Sequence, residues 1–198
     1  MTKIVDYFFT PTSPWTYLGH QRFFEIAQRH GAEIRVKPVD YGVIFPQTGG
    51  LPLPKRAPAR QAYRLMELKR WRAQLGIELN LHPKFFPTPA DAAARVVIAA
   101  DRAGGDSLGL AHAILAAIWT QEKDIADLPT LSEIADAAGQ DGAALVAASQ
   151  EPEAQAAFEA LTQEALARSV FGAPTYVYEE ELFWGQDRLE FLDRALAA

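Results

Sequence analysis

The chain has 198 residues, 49% of them hydrophobic, with a formal net charge of −6 and no cysteine. That length and apolar content suffice for one compact domain, alone or carrying a large insertion, and the acidic balance argues against a nucleic-acid surface, which needs a basic stripe. Without cysteine the protein has no disulfide, thiolate nucleophile or cysteine zinc site of its own, so any sulfur chemistry must use a borrowed thiol.

Lys3 to Phe9 is a β-branched and aromatic run closed by Thr10-Pro11, and it reads as a buried strand. It is too short for a secretion signal and lacks a small-residue cleavage site. No stretch approaches the ~18 apolar residues of a membrane span, so a cytoplasmic protein that does not bind membranes is expected. Pro14 to His30 reads as a helix closed by Gly31, with Tyr17 and Phe24 on one face and Phe23, Ile26 and Ala27 extending it. Glu33 to Val39 alternates as a second strand. The opening is thus a β-α-β unit, and its sheet should contain parallel strands.

Pro46 to Pro58 reads as a Pro/Gly-rich loop. From about Arg60 to Arg168 the pattern is helical and alanine-rich, with breaks at Gly76, His82 to Pro89, Gly104-Gly105, Pro129, Gly139 and Pro152. The basic stretch from Lys55 to Arg72, interrupted by Glu67, reads first as a solvated helix face. Strand signals return at Pro174 to Tyr178 and Leu182 to Trp184, joined by a turn at Glu179-Glu180-Glu181. A last helix runs from Asp187 to Leu196, with Leu189, Leu192 and Leu196 on one stripe.

Ser13-Pro14 places a hydroxyl at an N-cap and proline at the first helical position. A helix N-terminus favours an anion and lowers the pKa of a thiol from its reference of about 8.5. Ordinary capping explains the same pair of residues, and Thr10 and Thr12 are rival hydroxyls. His20, His30, His82 and His112 have no metal-ligand spacing and read as structural or exposed. Nucleotide-binding and zinc-protease motifs are absent from the sequence.

Three segments carry a family resemblance: Asp6-Tyr7-Phe8-Phe9-Thr10-Pro11-Thr12-Ser13-Pro14-Trp15-Thr16-Tyr17-Leu18, then Val170-Phe171-Gly172-Ala173-Pro174-Thr175, then Phe183-Trp184-Gly185-Gln186-Asp187-Arg188-Leu189. In this order and spacing they resemble the 2-hydroxychromene-2-carboxylate isomerases. Those enzymes are similar to kappa-class glutathione transferases and more distantly to DsbA-like oxidoreductases. The resemblance implies an α/β, thioredoxin-like fold with a large all-helical insertion between its β-α-β and β-β-α halves. The expected division is 1–45 and 169–198 for the thioredoxin-like part and 46–168 for the insertion.

It further implies glutathione as a cofactor, with Ser13 at its sulfur, a cis Pro174 presenting the backbone of Ala173 like an added strand, and Gln186 and Asp187 at its γ-glutamyl end. Asp187 with Glu190 also fits a capping box. Many isomerases of the family carry Asn where Gln186 stands. Lys55 and Arg56 are candidates for the glycyl carboxylate, and Arg60 for an anionic substrate. Trp15, Phe45, Phe85, Phe86 and Trp119 are candidate pocket walls. The implied activity is isomerisation of a small aromatic α-keto acid by reversible thiol addition, with glutathione returned. A kappa-like glutathione transferase or peroxidase that consumes glutathione, and a non-catalytic glutathione-binding protein, are the alternatives. A homodimer is common among such transferases, and no residue here demonstrates one.

Overall fold

The computed structural model describes residues 2–198. Strand β1 (Ile4–Phe9), helix α1 (Pro14–Arg29) and strand β2 (Glu33–Pro38) form the opening unit, with β1 and β2 parallel. Strands β3 (Thr175–Tyr178) and β4 (Glu181–Trp184) complete a sheet of order β2-β1-β3-β4, in which β3 runs antiparallel to both its neighbours. Helix α9 (Leu189–Ala197) closes the chain.

Alternate residues of β1 face opposite sides of the sheet, and both sides are covered. Val5, Tyr7 and Phe9 join Tyr176 and Phe183 in the main core, against Phe23 and Ile26 of α1 and Leu189, Leu192 and Leu196 of α9. Phe8 joins Val177 in a smaller cluster with Ile44 and Ala165. Asp6 is the polar exception on this central strand. It is nearly buried and sits 3.0 Å from Lys37 and 3.4 Å from Arg168, so the charge is paired as burial demands.

Six helices fill the middle of the chain: α3 (Pro58–Leu75), α4 (Asp91–Arg102), α5 (Ser107–Trp119), α6 (Leu128–Ala137), α7 (Gly142–Ser149) and α8 (Pro152–Ala167). Their breaks fall where the glycines and prolines stand; Gly76 caps α3 in the left-handed region, and Pro129 and Pro152 open α6 and α8. The main core runs from Tyr7 and Phe23 through Ile114 and Trp119 of α5 to Leu131 of α6 without a gap.

Local expectations differ from the structure at three places. Pro46 does not begin a loop: it lies inside helix α2 (Tyr41–Thr48), which Asp40 caps by accepting from Gly42 N–H. Burial of Tyr41 and Ile44 against the sheet outweighs the single helical bond that Pro46 removes. Phe24 is 37% exposed, because the buried face of α1 centres on Gly19, Phe23 and Ala27 instead. Asp187 lies in a single 3-10 turn, Gln186–Arg188, and α9 starts only at Leu189 with no side-chain cap, so the Asp187–Glu190 capping box is not made.

Candidate functional site

Strand register gathers the candidates. Phe9 pairs with Pro38, Phe8 with Thr175, and Thr175 with Trp184. The segments 10–13, 39–41, 172–174 and 185–188 therefore leave the sheet at one end, on four adjoining strands. Ser13, Ala173, Pro174, Gln186 and Asp187 all lie on them.

Ser13 is the N-cap of α1, with extended φ and ψ of −82° and 122°, and its Oγ accepts from Thr16 N–H at 3.2 Å. Capping uses a lone pair and leaves the O–H without an acceptor among the described residues. Trp15 N–H, also in the first turn, has no backbone partner. Two donors thus remain at the positive end of a four-turn helix. The Thr10 and Thr12 hydroxyls bond each other at 3.2 Å, and the Thr10 carbonyl holds Ser13 N–H at 3.0 Å, so the rival hydroxyls support the turn.

The Ala173–Pro174 bond is cis, as is Phe86–Pro87. Gly172 C=O accepts from the Tyr41 hydroxyl at 2.7 Å and the Thr175 hydroxyl at 2.6 Å, and Pro174 C=O accepts from Gly185 N–H at 2.8 Å. Between these anchored residues, neither the N–H nor the C=O of half-buried Ala173 has a partner among the described residues. A main-chain donor and acceptor left open in this way suit an extended peptide.

Gln186 is buried, and its amide oxygen accepts from Arg22 at 2.9 Å. Only its amide nitrogen remains to donate to a ligand. Gly19 permits this approach, since a Cβ there would stand 2.7 Å from Gln186 Cβ and 2.9 Å from the Tyr176 hydroxyl. Asp187 faces solvent and pairs with Arg188 at 2.8 Å. The turn into it passes through Gly185 at φ +99°, where a side chain would be strained and would strike Asp187 Oδ1.

The remaining candidates lie on α2, α3 and the loops. Phe45 is half-buried against Tyr41, ring centroids 5.3 Å apart, with Gly50 folded closely over it. Lys55 and Arg60 are exposed. Arg56 donates through Nε to the Leu51 carbonyl at 2.7 Å, and burial, then the charge of Arg60, lowers its pKa from the usual value. Trp15 is half-buried and packs against the main core. Phe85 is half-buried beneath the Lys84 ammonium, 4.8 Å from its ring centroid.

Trp119 does not wall an open pocket. It is fully buried at the end of α5, under the 80–86 segment, with its ring 4.9 Å from that of Phe86. Phe86 instead lines a cleft of about 250 Å³ between α3 and the 81–87 segment, together with Arg64. Sequence reasoning missed Gly19, Arg22 and Arg64. The Arg22 contact spans 164 positions and leaves no local trace, whereas the i, i+4 spacing of Arg60 and Arg64 was visible.

His20 lies in the core, where its Nδ1 is 3.1 Å from the Tyr7 hydroxyl. Burial, and then the nearby His112, lower its pKa to about 3 against the partial opposition of a hydrogen bond with the Leu108 backbone. It is a neutral structural histidine. No group of residues able to hold a metal is found among the described residues, and no described helix is long and apolar enough to cross a membrane.

The end of this sheet, with its N-capping serine and its cis proline, defines a protein class. The DSBA-like thioredoxin domain family matches residues 4–197, and the chain belongs to that family. Within it, the chain is similar to the 2-hydroxychromene-2-carboxylate isomerase of Sphingobium xenophagum, 28% identical over 197 residues and covering 99% of both chains. A solved 2-hydroxychromene-2-carboxylate isomerase structure superposes with a TM-score of 0.82 at 26% identity, covering 98% of this chain and 94% of the other. The cytosolic disulfide reductase DsbM of Pseudomonas aeruginosa, solved with GSH, has the same fold at a TM-score of 0.69 and 19% identity, covering 98% of this chain and all of its own. Unlike disulfide oxidoreductases, this chain has no cysteine to oxidise.

Proposed function

We propose that the chain is a glutathione-dependent isomerase interconverting 2-hydroxychromene-2-carboxylate and trans-o-hydroxybenzylidenepyruvate. The isomerase class itself rests on end-to-end similarity to enzymes of that name. The observation that carries the glutathione part is the pairing of open groups at one sheet end: the O–H of Ser13 and the N–H and C=O of Ala173.

These residues fit a bound γ-glutamyl tripeptide. Ala173 would hold its central residue by two main-chain hydrogen bonds, and the exposed Asp187 would meet its ammonium. The Gln186 amide nitrogen would serve the adjacent carboxylate. Lys55 and Arg56 are the cations nearest in sequence to the C-terminal end of α2, and we assign them to the glycyl carboxylate. When bound, glutathione supplies a thiol for reversible addition to a conjugated double bond.

At that sulfur, the Ser13 hydroxyl and the Trp15 N–H would donate hydrogen bonds, and the α1 terminus would favour the negative charge. The Ser13 oxygen accepts from Thr16 N–H, and this bond would keep the hydroxyl on one side of the sulfur. Arg60, exposed on the first turns of α3, adds positive charge that draws the anionic keto acid towards this side of the molecule.

An ultraviolet assay of 2-hydroxychromene-2-carboxylate with and without reduced glutathione tests the reading. Conversion only with glutathione, and with no loss of thiol, is expected. Conversion that consumes thiol favours a transferase. Equal conversion without glutathione would overturn the borrowed-thiol chemistry.

A further inference from the structure

Arg64 follows Arg60 by one helical turn on α3, and its surroundings differ from those of the other basic residues of that helix. Its guanidinium lies 5.3 Å from the centroid of the Phe86 ring. Stacking of this kind satisfies the face of the guanidinium but none of its five in-plane N–H donors. Among the described residues no carboxylate pairs with it, in contrast to Arg29, Arg35, Arg70, Arg168 and Arg188. Burial, then the neighbouring charge of Arg56, lowers its pKa to about 10. A half-buried cation facing another cation, without a counter-charge, is costly in isolation, and an anion would relieve it.

The space for that anion is present. Arg64 lines the cleft of about 250 Å³, whose walls are Leu53, Leu65, Leu81, Pro83 and Phe86, with Gln61 as a second polar group. This volume lies just under the roughly 300–1,000 Å³ typical of drug-sized ligand sites. It suits one ring with a short polar tail. His82 and Pro87 complete the lining; mostly apolar walls, the Phe86 ring and the unpaired Arg64 guanidinium select a flat apolar body carrying a carboxylate, which an arginine can hold with two parallel hydrogen bonds.

We infer that the cleft between α3 and the 81–87 segment binds a small aromatic carboxylate, and that Arg64 holds the carboxylate and sets the preference for acids. The identity of the physiological ligand as the keto acid rests on the function proposed above; the binding chemistry does not.

The test uses trans-cinnamate, which has the ring and the carboxylate, and cinnamyl alcohol, which lacks the charge. Calorimetric titration of the whole protein is expected to show cinnamate binding at least about tenfold tighter than the alcohol, the worth of a charged hydrogen-bonded pair. Arg64→Leu should abolish that preference, and Arg64→Lys should restore part of it, with thermal unfolding confirming that both variants fold. An unchanged cinnamate affinity in Arg64→Leu, or no preference for the acid in the unaltered protein, would overturn the inference. In the isomerase assay, Arg64→Leu should raise KM for the keto acid about tenfold and leave kcat within about threefold. An unchanged KM would overturn the keto acid as the physiological ligand of this cleft. Absence of any turnover alongside Arg64-dependent cinnamate binding would instead sink the proposed reaction and leave the cleft assignment standing.

Discussion

At the end of the sheet, every candidate group is placed by backbone. Ser13, Ala173 and Asp187 follow or precede paired strands, their neighbours are hydrogen-bonded on both sides, and the open groups are few: the Ser13 hydroxyl, the Trp15 N–H and the N–H and C=O of Ala173. At the cleft beside α3, the walls come from the helix and the 81–87 segment together, and the one arginine among them, Arg64, lacks a carboxylate partner. The first region is rigid because buried peptide groups must be paired, which leaves any exception conspicuous. The second takes its character from charge that the protein itself does not neutralise. One region is thus suited to holding a peptide-like cofactor in one pose, and the other to attracting an anion.

Ser13→Ala should break the comparison most severely. It removes the donor at the sulfur and also the cap, so glutathione-dependent kcat/KM should fall about 10²–10³-fold, together with about 1 kcal/mol of stability. Restoration of the cap alone by Ser13→Asp should recover the stability and not the activity. Steady-state kinetics beside urea unfolding separates the two, and a Ser13→Ala enzyme with near-normal turnover would show that the hydroxyl only caps the helix.

A smaller effect concerns the core beneath that end. His20 is held neutral, with its folded pKa lowered to about 3 from an unfolded value of about 6.5. The unfolded chain therefore binds the extra proton between those values, and stability present above pH 6.5 is lost as the pH falls towards 3. By pH 5 the loss should reach about 2 kcal/mol. Urea unfolding at pH 7 and pH 5 should show His20→Gln losing less than the unaltered chain.

Gly19→Ala should cost about 1–2 kcal/mol, because its Cβ would overlap Gln186 and Tyr176. It should also weaken glutathione binding while leaving cinnamate binding at the α3 cleft intact. Coupled losses at both regions would mean that they are not independent. Asp187→Asn should have the smallest effect, raising KM for glutathione about tenfold or less, since the carboxylate is exposed and already faces Arg188.

Much of this architecture was legible in the sequence. The IVDYFF run, the Ser13-Pro14 start, the glycine and proline breaks between helices, and the final hairpin each depend on interactions within a few residues, and those are what local pattern reports. The same locality explains the errors. Local pattern places Pro46 at the start of a loop because the cost of a proline to a helix is local, while the burial of Ile44 against the sheet that outweighs it is not. Trp119 read as a pocket wall because an aromatic residue looks the same on either side of a loop, and only the packing of the 80–86 segment over it decided that it lies in the core.

The sequence by itself determined the order of the strands and of the helices other than α2, the N-cap at Ser13 and the absence of any thiol, because each is a property of one residue or one short segment. The tertiary structure alone decided that Arg22 takes the Gln186 oxygen, that Ala173 keeps its peptide groups open and that Arg64 has no counter-ion. Those facts depend on which groups meet across long stretches of chain, and on which are left without a partner once the backbone and core have closed.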